Sequence, residues 1–91
     1  MNEQKIIIGS LAMDLKRVAL SLHRGSNEVA ERFKQEAIKR GLELEGLETS
    51  SYLKKLLNDC IKCLNNINER TAEDALMYST LFQNYVLKEI K

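Results

Sequence analysis

The segment IIGSLAMDLKRVALSL, residues 7–22, decides the fold because its large apolar side chains recur at alternating intervals of three and four. On an α-helix this spacing places them along one line, which a neighbouring helix must cover. The line consists of Ile8, Leu11, Leu15, Val18 and Leu22. A second line of the same kind lies in the middle of the chain, at Leu53, Leu57, Cys60, Leu64 and Ile67. The two lines predict an all-α protein whose helices pack side by side.

Four helices are predicted, over residues 3–24, 27–40, 50–68 and 72–90. We expect the first helix to continue through Gly9, because its apolar line does so. Gly25 is expected to end that helix in the left-handed conformation, with Ser26 or Asn27 capping the next one. Gly41 is predicted to end the second helix, which leaves residues 41–49 as the one substantial loop.

Polar residues mark where the last two helices begin. The run Thr49-Ser50-Ser51 offers three consecutive N-cap candidates for the third helix. Thr71 and Asp74 have the spacing of a capping box at the start of the fourth helix. Because short connections favour antiparallel neighbours, the expected fold is an antiparallel four-helix bundle made of helix hairpins 1-2 and 3-4, in a single domain over residues 1–91.

Composition narrows the class of protein. The chain has 91 residues, no proline, 44% apolar residues and a net charge of +1, which describes a folded domain and argues against binding polyanions through bulk charge. No stretch reaches the ~18 apolar residues of a membrane span, so no membrane contact is expected. Two cysteines without a signal peptide predict reduced thiols and a cytoplasmic protein.

Helix four carries more apolar surface than a small bundle can face inward, which predicts a homodimer or a helical protein partner. The contact surface is expected at its aromatic line, because aromatic side chains carry much of the binding energy in interfaces. The predicted interface residues are Tyr78, Leu81, Phe82 and Tyr85.

Nucleic-acid binding is the alternative, through a basic band along helices one and two. The residues of that band are Lys16, Arg17, Arg24, Arg32, Lys39 and Arg40. Phe33 and Phe82 fall on apolar lines and do not alternate with basic residues, which argues against recognition of single strands.

His23 is the only histidine, so a proton shuttle or a phosphohistidine would have to use it. Arg17 and His23 have the R-x5-H spacing and so resemble the RNase signature of helical HEPN domains, although here both lie on one predicted helix. A lone histidine on a helical bundle is similar to a phosphotransfer domain, but the His-x-x-Lys-Gly pattern of that family is not matched. The simpler interpretation is a histidine that interacts with the negative end of helix one.

Cys60 and Cys63 have CxxC spacing in the middle of a predicted helix, away from the helix N-terminus that would activate a thiol. Zinc requires four ligands, so no metal site is expected from these two cysteines and one histidine; the alternative is a four-cysteine site shared by two copies across a dimer axis. Asp14, Asp59 and Asp74 are interpreted as surface or cap residues. The sequence therefore predicts an interaction module or subunit of a complex, with no catalytic activity, no cofactor and no small-molecule ligand.

Overall fold

The computed structural model describes residues 3–89, and this part of the chain contains four α-helices and no strand. The helices are α1 (Glu3–His23), α2 (Asn27–Glu45), α3 (Ser51–Asn65) and α4 (Thr71–Glu89). The all-helical prediction is confirmed. The predicted end of the fourth helix, at residue 90, lies outside the described residues. Within residues 3–89, none of the helices combines the length and apolar character needed to cross a membrane.

The two apolar lines supply half of the buried core cluster. Ile8, Leu11, Leu15 and Val18 of α1 are at most 1% exposed. In α3 the line is also buried, at Leu53, Leu57, Cys60 and Leu64. Ala75 and Phe82 of α4 complete the same cluster of buried side chains. The heptad spacing therefore predicted the inward faces of α1 and α3 correctly.

The packing contacts between helices are consistent with a bundle. Helix α1 contacts α2 and α4, and α3 contacts the same two helices. Small buried residues lie on α1 and on both of its neighbours, which allows their backbones to approach closely. These residues are Ala12 and Ala19 on α1, Ala30 and Ala37 on α2, and Ala75 and Ser79 on α4.

The turn at Gly25 forms as the sequence predicts, although Ser26, at the N-cap position of α2, makes no side-chain capping hydrogen bond. Gly25 has a φ of 77°, in the left-handed region that favours glycine. Its N–H donates to the Leu22 carbonyl, and the Ser26 N–H donates to the Ser21 carbonyl. These two bonds form a Schellman motif, which satisfies the last carbonyls of α1.

The predicted end of the second helix at Gly41 is wrong, because α2 continues to Glu45. Gly41 is buried in the middle of the helix, where a Cβ atom would lie 3.1 Å from Leu57 Cδ1 and 3.3 Å from Ile61 Cδ1. The glycine therefore gives room to side chains of α3 and does not end α2. The loop predicted over residues 41–49 is confined to residues 46–50.

Helix α3 begins where the run of small polar residues predicts. Ser50 is its N-cap, and the Ser50 hydroxyl accepts a hydrogen bond from the Leu53 N–H at 3.2 Å. The helix ends at Asn65, three residues before the predicted end at residue 68. Ile67, the last member of the predicted line, consequently lies outside the helix and is exposed.

The capping box of α4 lies three residues upstream of its predicted place. The Asn68 side-chain oxygen accepts from the Arg70 N–H, and the Thr71 hydroxyl accepts from the Asn68 N–H, each at 2.8 Å. Asn68 and Thr71 therefore exchange the two reciprocal bonds of a capping box across the turn that leads into α4. The prediction placed Thr71 as the cap and Asp74 as its partner.

Candidate interaction surfaces

A cleft of about 480 Å³ lies between the start of α3 and the last turns of α4. We call it the tyrosine cleft; it is lined by Ser50, Tyr52, Leu81, Asn84, Tyr85 and Lys88. Two of the four predicted interface residues, Leu81 and Tyr85, therefore line one concave surface. Sequence reasoning missed Tyr52, although the chain has only three tyrosines.

Contacts between the start of α3 and the last turns of α4 stabilise the shape of the cleft. The rings of Tyr52 and Tyr85 stack with their centroids 6.1 Å apart and an interplanar angle of 22°, an offset arrangement that aromatic pairs favour. The Ser50 hydroxyl, which caps α3, lies 3.3 Å from the Tyr85 hydroxyl, and either group can donate this hydrogen bond. The N-cap of α3 therefore also positions an aromatic side chain of α4.

The other two predicted interface residues have different environments. Phe82 is 0% exposed and belongs to the core of the single chain, so it offers no surface to a partner. Tyr78 is partly buried against the core. Burial raises the pKa of the Tyr78 hydroxyl, and the nearby Asp59 carboxylate raises it further. Tyr78 is therefore a neutral hydroxyl group at the edge of the α3–α4 contact.

Helices α1 and α4 share a second surface, which is apolar and exposed. Its members each leave between 45% and 67% of their surface open. We call this surface the α1–α4 face and define it by Ile6, Met13 and Leu20 of α1 with Leu76 and Leu87 of α4. The α1 residues recur every seven positions, and those of α4 are eleven apart, so each set lies along one line of its helix.

A groove of about 210 Å³ joins the two lines, and Met13 and Leu87 both contribute to its lining. At its base the Ser79 hydroxyl donates a buried hydrogen bond of 2.6 Å to the Ala12 carbonyl. This bond satisfies the hydroxyl of a polar residue that α4 places against α1. The apolar surplus of helices one and four was visible in the sequence, but their adjacency was not.

A charge cluster around the buried carboxylate of Asp14 joins α1 to α2. Asp14, interpreted from the sequence as a surface or cap residue, is instead buried. Its carboxylate lies 3.7 Å from Arg17 Nη1 and 4.0 Å from Arg40 Nε. Within residues 3–89, neither Asp14 Oδ2 nor Arg40 Nε has a hydrogen-bond partner. The sequence did not reveal this environment, because Arg40 lies on the neighbouring helix and could not be placed beside Asp14 from local sequence.

The electrostatics of Asp14 are dominated by burial. Loss of solvation raises the pKa of its carboxyl above the ordinary value, although Arg40 and Arg17 act to lower it. Glu36 contributes a smaller effect in the same direction as burial. The two arginines therefore compensate this buried charge only in part.

The six residues of the predicted basic band lie in three environments. Arg17 and Arg40 pair with Asp14, and Arg17 also lies over the Phe33 ring at 5.4 Å from its centroid. Lys16 lines the groove between α1 and α4. Arg24, Arg32 and Lys39 are exposed to solvent. Two of the six cations are therefore engaged within the chain.

The residues considered for chemistry line neither the tyrosine cleft nor the groove of the α1–α4 face. His23 is exposed in the last turn of α1. Burial raises the pKa of the Cys60 thiol to about 12, with a further contribution from Cys63, whose own pKa is raised by burial and by Asp74. Both cysteines are free thiols, and these shifts disfavour the reactive thiolate. In the described part of the chain, no group of three or more His, Cys, Asp or Glu side chains is arranged to hold a metal ion.

Comparison of the chain with protein-family models, with curated proteins and with solved structures gives no match in any of the three. A functional assignment therefore depends on the two surfaces of α4 described above.

Proposed function

We propose that this chain is a small cytoplasmic protein–protein interaction module, or a subunit of a complex, which associates through apolar helix faces and has no catalytic activity of its own. Its partner is a second copy or another helical protein. The supporting observation is that α4 presents apolar side chains on two sides of its buried line. Leu81 and Tyr85 line the tyrosine cleft, while Leu76 and Leu87 lie on the α1–α4 face.

The exposed apolar area supports this proposal because at Met13 and Leu87 it continues from one helix to the other. Single exposed leucines are ordinary on protein surfaces, whereas contiguous apolar patches mark interaction sites. Met13 and Leu87 come from different helices and line one groove, so their exposed surfaces are joined. In the tyrosine cleft, the stacked Tyr52 and Tyr85 provide the rigid aromatic area that is enriched at binding hot spots.

The arrangement of the helices is part of the proposal. We propose that the bundle is antiparallel, since only the short turn at Gly25 separates α1 from α2, and these two helices pack against each other. Residues 66–70 separate α3 from α4 in the same way. In this arrangement both surfaces of α4 extend along the side of the bundle, where a partner helix can lie beside them.

Site-specific photo-crosslinking tests the proposal. Tyr52 and Leu87 are replaced, one at a time, by p-benzoylphenylalanine in cells of the source organism, with Gln35 on the exposed surface of α2 as the matched control. We expect a crosslinked product of defined mass from at least one of the two surface positions and none from Gln35. A product at twice the chain mass of 10.4 kDa would identify a second copy. Illumination that yields only the uncrosslinked chain at both positions would contradict the proposed function.

The remaining alternatives make different predictions. An RNase or a phosphotransfer protein would lose its activity in the His23→Ala variant, whereas the crosslinks expected here should be unchanged. A nucleic-acid-binding protein would show an affinity that falls steeply with salt. The pairing of Arg17 and Arg40 with Asp14 favours the interaction module, because it withdraws two cations from the predicted basic band.

A further inference from the structure

We propose that the α1–α4 face binds the same face of a second copy of this chain, and that the tyrosine cleft remains outside the resulting dimer. This inference rests on the proposed function and specifies the partner and the contact surface. It assigns the self-association of the chain to Ile6, Met13, Leu20, Leu76 and Leu87, and not to the tyrosine line of α4.

The charge of the α1–α4 face suits a second copy. Of the eight residues that line its groove, only Lys16 is charged. A symmetric dimer brings each group of the interface together with the same surface patch on the partner, so a face rich in like charges would repel itself. A groove with a single charged side chain in each copy keeps this repulsion small. The long stem of Lys16 allows its ammonium group to reach the solvated rim.

The tyrosine cleft has a different character. Five of its six lining residues carry a polar side-chain group, whereas only three of the eight lining the α1–α4 groove do, so pairing the cleft with itself would bury more polar groups. The cleft and the α1–α4 face also lie on opposite sides of the buried line of α4, because Tyr85 and Leu87 are about 200° apart on the helix. A dimer through the α1–α4 face therefore leaves the cleft open.

The size of the face is compatible with a stable dimer. Helices of 21 and 19 residues are each about 30 Å long at a rise of ~1.5 Å per residue. Two such helices side by side present a width of about 20 Å, hence about 600 Å² per copy. If both faces were covered completely, two copies would bury about 1,200 Å², at the lower end of the range for specific interfaces. The exposed side chains of this face, the most open being Leu87, would fill the centre of that contact.

Sedimentation equilibrium of purified variants tests this assignment. Glutamate replaces exposed apolar residues on three surfaces: Leu87 and Met13 on the α1–α4 face, Tyr52 in the tyrosine cleft, and Leu42 on α2. All four side chains are about half exposed or more, so the substitutions are matched in burial, and circular dichroism checks that each variant keeps its helices. We expect Leu87→Glu and Met13→Glu each to raise the dissociation constant of the dimer at least ~10-fold, with little effect from Tyr52→Glu or Leu42→Glu.

A variant that gains affinity separates a specific interface from damage to the fold. Lys16→Leu removes the only charge in the groove and should lower the dissociation constant several-fold, an effect that misfolding would not produce. A dimer that persists in Leu87→Glu and Met13→Glu but dissociates in Tyr52→Glu would overturn this inference and leave the proposed function standing. A chain that is monomeric at every concentration would also overturn the inference, while the crosslinking experiment would decide the proposed function separately.

Discussion

Asp14 is buried, although acidic side chains are mostly exposed to solvent. A carboxylate removed from water is costly, and the two arginines beside it are only partly able to compensate, since the Arg40 Nε atom stands 4.0 Å away. Burial is the largest influence on its pKa, and the pKa is raised. The folded state therefore favours the protonated form of Asp14 more strongly than the unfolded chain does.

We expect the Asp14→Asn variant to change how stability depends on pH. A raised folded-state pKa contributes stability that is fully present below the ordinary value of 3.8 and is lost as the pH rises through the raised value. The free energy of unfolding of the natural chain minus that of Asp14→Asn should therefore fall with increasing pH across this window and then level off. Urea unfolding at a series of pH values measures it. A difference that grows with pH would mean that Arg17 and Arg40 outweigh burial.

Among the helices, α2 shows how a glycine can serve packing instead of ending an element. Gly41 lies against Leu57 and Ile61, so the missing side chain lets α3 approach α2. Gly9 in α1 provides the matched comparison, since a Cβ built there would meet nothing within 4 Å. The same residue type therefore has opposite consequences at the two positions.

Substitutions at the two glycines should shift stability in opposite directions. Gly41→Val should lower the free energy of unfolding by about 1–3 kcal/mol, because its side chain overlaps a packed contact. Gly9→Ala should raise it by about 0.5–1 kcal/mol through helix propensity. Urea unfolding in the Leu87→Glu background measures both without a contribution from association. Equal effects at the two sites would contradict the packing role of Gly41.

Local patterns in the sequence predicted the number of helices and the buried lines of α1 and α3, because each of these depends on spacing within one helix. They failed where two elements meet. Nothing near Gly41 in sequence indicates Leu57, and nothing near Asp14 indicates Arg40. The capping box was missed for a different, local reason, since Asn68 and Thr71 do not have the Ser/Thr-x-x-Glu pattern. The tyrosine cleft required Tyr52 and Tyr85 to be brought together by packing.

At the scale of the whole molecule, the distribution of charge bears on what the chain binds. The net charge is +1, and the cations of helices one and two are divided among an internal cluster, a groove and solvent. Long-range attraction of a polyanion requires cations concentrated on one face. The division therefore disfavours tight binding to nucleic acid.

Chromatography on phosphocellulose makes this expectation measurable. We expect the chain to elute at or below about 0.15 M salt, where exposed charges are already strongly screened. Reversing the charge of the exposed Arg32 and Lys39 should leave the dimer mass unchanged, since neither residue lies on the α1–α4 face. Retention well above that salt concentration, lost in the charge-reversed variant, would support nucleic-acid binding instead.

The hydrogen bond from Ser79 to the Ala12 carbonyl joins positions 67 residues apart, and this separation has a consequence for synthesis. Helix α1 emerges from the ribosome well before α4. The side of α1 that α4 covers therefore stays exposed while the intervening helices are translated. Chaperones, or another nascent copy on the same messenger, have access to that side during this interval. The core is completed only when translation has delivered α4.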